Sequence, residues 1–149
     1  MNWFLLLRWI HILGAITAVG SNLTYAVWQV RGQGSVAEMR FALRGIKFID
    51  DRIANPTYGV IFVTGLLMAI FYIGFVHVWV LLGIGLFVVL AGVGGAAYTP
   101  LLRRQLTALD GGGIESTAYK AADARATGVG IFLAVVAIAI VFVMVFKPQ

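Results

Sequence analysis

Two histidines and no cysteine leave few groups in this chain able to hold a ligand. His11 lies in a long apolar stretch together with Arg8, Ala15, Ala18, Asn22, Tyr25 and Gln29, at alternating steps of three and four residues. That spacing puts all seven on one helix face. Thr17, Ser21 and Thr24 lie off the stripe, where their hydroxyls can bond their own backbone. Ionisable and amide side chains facing lipid are costly, so the stripe should turn toward other helices or a hydrated cavity. A neutral imidazole ligates haem iron, zinc or copper, and Gly14, Ala15 and Ala18 leave room beside it for a flat group. The same small residues also suit close helix packing, with His11 hydrogen-bonded to a neighbouring helix. The expected binding group is therefore Arg8, His11, Asn22 and Tyr25, with His11 as the candidate metal ligand. His77, beside Trp79 in a short connection, is a second candidate ligand; its other reading is an interfacial loop residue, with Trp79 in an aromatic belt.

The carboxylates Glu38, Asp50, Asp51, Asp110, Glu115 and Asp123 all fall between the apolar stretches, so no acid shares the depth of His11. That removes a Ser-His-Asp arrangement, a di-metal carboxylate site and most proton relays. Without Cys there is no disulfide framework, thiolate metal site or iron–sulfur cluster. No catalytic residue is assigned, and a binding protein is expected rather than an enzyme.

Positioning these groups falls to membrane spans. Apolar residues make up 61% of the 149 and charged residues 11%, against about 25% charged in an ordinary globular domain. A soluble enzyme is thereby excluded. Each span needs about 20 residues, and four fit, at about 3–30, 56–75, 78–98 and 127–146, in a single transmembrane domain over residues 1–149. The expected fold is all-α, an integral membrane four-helix bundle. The first stretch is read as a retained span, although Ala18-Val19-Gly20 resembles a cleavage site. Asn55-Pro56 reads as an N-cap with Pro at the first helical position. Thr99-Pro100 marks the end of the third span or a kink, and Gly111-Gly112-Gly113 breaks the second long connection. No internal repeat is visible.

Nine of the 11 Lys and Arg residues lie in the two long connections. The positive-inside rule then places both connections in the cytoplasm of a bacterial inner membrane, with both termini and His77 on the outer side. Basic residues beside apolar runs point to lipid headgroups and topology control, with no nucleic-acid partner. Met39, Ala42, Ile46, Ile49 and Ile53 recur at steps of three and four, which predicts an amphipathic helix in the first cytoplasmic connection. It either lies on the inner leaflet or caps the bundle. In residues 91–97, Gly92 and Ala96 stand in the small-xxx-small relation, which suits close helix contact or a cleft for ligand or lipid.

Arg8-Trp9-Ile10-His11-Ile12-Leu13-Gly14-Ala15 with Gly20, Pro56 followed by Thr64-Gly65, Pro100, and the closing Met144-Val145-Phe146-Lys147-Pro148 together resemble a bacterial family of four-span integral membrane proteins of unknown function. That family is distantly similar to the membrane domain of copper-resistance D proteins and to His-bearing four-span protoporphyrinogen oxidase-like proteins. The resemblance implies the four-span architecture and, from the porphyrin-linked relatives, a haem b or porphyrin on the first-span His, here His11. The expected function is a small inner-membrane binding protein whose interior site holds a haem, a porphyrin, a quinone-like molecule or a metal. The alternative is an accessory or self-associating subunit of a larger membrane complex, and a homo-oligomer is expected in either case.

Overall fold

A computed structural model describes residues 2–148 and shows helices joined by short turns, with no strand among the described residues. Helix α1, Trp3–Arg31, starts where the Asn2 side chain accepts the Leu5 N–H at 3.4 Å, and it tightens into a 3₁₀ turn at Gly32–Gly34. Ser35 caps α2, Val36–Ile49, by accepting the Glu38 N–H at 3.2 Å. The π-helical turn Asp50–Ala54 then carries the chain into α3, Asn55–Met68, which ends in a second such turn, Ala69–Ile73. After a short hairpin, α4, Val78–Val93, passes through a third π turn, Gly94–Tyr98, into α5, Thr99–Gly112. Ser116 caps α6, Thr117–Phe146. Four continuous helical rods result, each long and apolar enough to cross a membrane.

The expected helix start at Asn55-Pro56 is corrected by the structure. Asn55 is itself helical, at φ −62° and ψ −47°, and caps nothing. Its N–H bonds to the carbonyl of Asp50, and that of Thr99 bonds to Gly94, both five residues back. A proline lacks an N–H, and its ring clashes with the carbonyl four residues earlier. Widening the preceding turn to π geometry relieves both problems, so Pro56 and Pro100 modulate helices instead of starting or ending them.

Of the two roles open to the amphipathic α2, the structure gives the cap. Met39, Ala42, Leu43 and Ile46 are at most 2% exposed, closed over by α1 and α5. An Arg40–Asp110 ion pair at 2.6 Å fastens α2 to α5. Ile53, expected on the same face, remains exposed, because the π turn at Asp50–Ala54 shifts the register after Ile49. The main apolar core, including Tyr25, Leu43, Tyr98 and Leu102, therefore lies at the end that carries the long basic connections. Toward the hairpin end α1 packs on α3 and α4 on α6, and outward side chains such as Ile16, Leu23 and Ile138 stand free as a lipid surround requires.

Candidate functional site

The interior line of α1 runs through Gly14, Ala18, Ser21 and Tyr25, with His11, Asn22 and Gln29 half-buried beside it. Arg8 is exposed and is not brought to the others. Thr17, Ser21 and Thr24 donate to the carbonyls of Leu13, Thr17 and Ser21, so the hydroxyls do bond their own helix. His11 and Asn22 are separated by about 16 Å of helix, from a rise of 1.5 Å per residue. They meet different partners, so the stripe divides into two regions.

In the hairpin half, His11 Nδ1 lies 3.0 Å from Thr64 Oγ1. The Thr64 hydroxyl has one proton and donates it to the Val60 carbonyl at 2.7 Å. It therefore accepts from His11 Nδ1–H, and the tautomer this selects carries its lone pair on Nε2. Gly65 makes the ring position available: a Cβ there would stand 3.0 Å from His11 Cε1 and 3.4 Å from Nδ1. Gly14 does the same for the helix pair, since its Cβ would come within 2.8 Å of Ile61 Cγ1.

His11 borders a half-open cleft of ≈ 100 Å³ whose walls include Phe62, Trp79, Phe87, Ile140 and Met144. Its lining is almost wholly carbon, with His11 as the one ionisable side chain among the described residues. Met144 fills the space a Cβ at Gly83 would need, which joins α6 to α4 along one wall. His77 does not reach the cleft. Its ring stacks on Trp79 at 6.1 Å between centroids, and the Lys147 ammonium sits 5.3 Å from the Trp79 centroid.

At the basic end the stripe residues Asn22 and Tyr25 are engaged by residues of other helices. Asn22 Nδ2 donates to the Tyr58 hydroxyl at 3.2 Å, and Tyr25 stacks on Tyr98 with ring centroids 6.1 Å apart. Asp50, only 5% exposed, accepts from Thr99 Oγ1 at 2.9 Å and from Asn55 Nδ2 at 3.4 Å. The residue before each proline thus donates to one carboxylate, and the two π turns are knotted through it. Burial pushes the Asp50 carboxyl up from the ordinary carboxylate range, opposed by the Thr99 and Asn55 hydrogen bonds and by Lys47, while Asp51 adds to the rise. The Tyr25 hydroxyl is buried beside this knot, next to the Asp50 carboxylate.

Thr64, Gly65 and Asp50 were not singled out as site residues from residue type. Thr64-Gly65 did carry a signal in the motif shared with the resembled family. Asp50 carried none, because a carboxylate in a polar connection reads as solvated. Among the described residues, no three His, Asp or Glu side chains converge as a metal cluster, so neither His11 nor His77 has co-ligands from such groups.

Four long apolar helices around interior polar pairs define an integral membrane helical bundle. The chain belongs to the family described as Predicted integral membrane protein (DUF2269), which it matches over residues 5–148. No curated protein and no solved structure matches it significantly.

Proposed function

We propose that this is a small binding protein of a bacterial inner membrane, one domain with both termini outside, that takes a single-ring, quinol-like molecule from the bilayer against His11. One observation carries this reading: the Thr64 bond leaves His11 Nε2 as a free acceptor beside a carbon-lined, half-open cleft. A quinol hydroxyl supplies the donor that Nε2 lacks, and an apolar tail can leave sideways among the lipids. An engineered cavity of about 150 Å³ holds one benzene ring, so a cleft of ≈ 100 Å³ takes one ring only in part, with its substituents on the open side. Haem b and copper, implied by the resemblance to protoporphyrinogen oxidase-like and copper-resistance D proteins, do not fit these residues. A macrocycle exceeds a cleft of ≈ 100 Å³, and a copper ion would have one imidazole and the thioethers of Met68 and Met144, with no second His and no carboxylate in the lining. In this reading Asn22 and Tyr25 hold helices together, while Arg8 serves as an interfacial anchor.

A second reading, an accessory or self-associating subunit, draws on a different face. Gly92, Gly95 and Ala96 are exposed, and a Cβ at Gly92 or Gly95 would meet nothing within 4 Å. That row suits close approach by another helix.

A short-chain benzoquinol titrated anaerobically into detergent-solubilised protein tests the first reading. The expected result is saturable fluorescence quenching that disappears in Trp79→Phe and weakens about tenfold in His11→Leu, the worth of one hydrogen bond near 1.4 kcal/mol. Equal affinity in His11→Leu removes the proposed site, and a stable dimer without quenching favours the subunit.

A further inference from the structure

A second concavity lies far from His11, where α5 and α6 form an antiparallel hairpin. It measures ≈ 240 Å³, with a floor built from Ala108 of α5 and Ala118, Ala121 and Ala122 of α6. Arg104 and Arg125 flank it. They lie equally far, before and after, from the middle of the turn between Gly112 and Thr117, so the antiparallel pairing brings both to one level of the groove. Ala108 and Ala121 face each other at the next level by the same count.

Both arginines are exposed, and neither has a carboxylate partner among the described residues, where the ion pairs are Arg40–Asp110, Lys47–Asp51 and Lys120–Glu115. The nearest acid in sequence, Asp123, is engaged instead by Gln105 Nε2 at 2.7 Å. Two like charges at one level of an otherwise uncharged groove repel unless an anion is shared between them. Two guanidinium forks suit the tetrahedral oxygens of a phosphate, which they can grip through paired N–H bonds. Position narrows the source. Arg104 follows the end of the third span, and Arg125 stands just before the fourth, so both lie at headgroup depth on the side rich in Lys and Arg. Basic recesses between helices at that depth are where anionic headgroups are held, and alanine side chains leave room for a glycerol backbone beneath the phosphate.

We propose that the Arg104–Arg125 groove binds the phosphate of an anionic phospholipid in the cytoplasmic leaflet. Native mass spectrometry of the full chain, released from mixed micelles of phosphatidylglycerol and phosphatidylcholine, tests this. Wild type should retain one phosphatidylglycerol. The double variant Arg104→Gln/Arg125→Gln should lose at least tenfold of that retention, while Arg103→Gln, a neighbouring exposed charge, should keep it. Ala121→Leu, which leaves both charges and fills the floor, should also lose the lipid and guards against a misfolded double variant. Unchanged retention in both the double variant and Ala121→Leu, or equal loss in Arg103→Gln, overturns the site. Displacement of the lipid by inorganic phosphate at equal concentration overturns the lipid as occupant and assigns the groove to free phosphate.

Discussion

The two halves of the bundle use the same device and reach different ends. In each, a polar side chain of α1 crosses to a hydroxyl of α3: His11 to Thr64 and Asn22 to Tyr58. Around His11 the close neighbour is Gly65, whose missing side chain lets the ring sit at the edge of a cleft with open space beside it. Around Asn22 they are Tyr25, Tyr58 and Tyr98, and the π turns before Pro56 and Pro100 bring Asn55 and Thr99 onto Asp50. Polar chemistry inside the bundle is left open to a cleft where small residues do not cover it, which is the basis of the proposed binding site. Where aromatic rings close over it, the same chemistry holds helices together.

The sharpest way to break this contrast is Asp50→Leu. It removes the shorter of the two acceptors of the Thr99 hydroxyl, which keeps the Gly94 carbonyl at 3.3 Å, and the acceptor of Asn55, so two hydrogen bonds at about 0.5–1.5 kcal/mol each are lost. A lowered melting temperature in detergent, with quinol affinity unchanged in the folded protein, is expected; lost affinity at unchanged stability would exchange the roles of the halves. The same carboxylate has a pH signature. Because burial raises its pKa in the fold, the neutral form is favoured there. Stability should be highest below the ordinary carboxylate pKa of about 3.9 and fall as pH rises through the raised value. Thermal melts across that window should show a smaller slope for Asp50→Asn than for wild type.

Gly65→Ala probes the open half. Its Cβ would press on His11 Cε1 at 3.0 Å, so the ring must shift. Quinol binding should fall more than about tenfold, while the overpacking cost stays near 1–3 kcal/mol. Retained affinity would show that ring placement is not what makes the site. Thr64→Val is milder, removing the acceptor that selects the His11 tautomer. Stability should drop by about 0.6–1.7 kcal/mol, the range for interhelical hydrogen bonds in a membrane. Affinity should fall less than in His11→Leu, as titration of the two variants side by side would show. The smallest effects belong to α1 itself. Asn22→Leu should cost about 0.6 kcal/mol, and Leu23→Ile on the lipid-facing side should stay within about 0.5 kcal/mol. A larger loss in Leu23→Ile than in Asn22→Leu in thermal melts would cancel the interior face.

The inward face of α1 was legible in the sequence to within a residue or so. His11, Ala18 and Tyr25 do turn inward, but Gly14 and Ser21 are buried in preference to Ala15 and Asn22, and Arg8 points out. A stripe spaced at 3.5 residues drifts about 20° per heptad on a straight helix, so its ends rotate away from a packed neighbour. Pro56 and Pro100 were legible as punctuation: of the two readings of Pro100, an end or a kink, the continuing helix excludes the end, while Pro56 was misread, since a proline signal does not distinguish a helix start from a π turn inside a continuing helix.

Amino-acid content and periodicity by themselves determined four apolar helices, the amphipathic α2 and the self-bonded hydroxyls on α1. These depend on residues a few positions apart and on the cost of exposing polar groups to lipid. Only the tertiary structure decided which polar residue meets which. The partners of His11, Asn22 and Asp50 lie 53, 36 and 49 residues away, at Thr64, Tyr58 and Thr99. Local spacing carries no information over such separations. The crossing of α1, α3 and the rod of α4 and α5 settles them, and with them the difference between an imidazole beside open space and a carboxylate sealed in a knot.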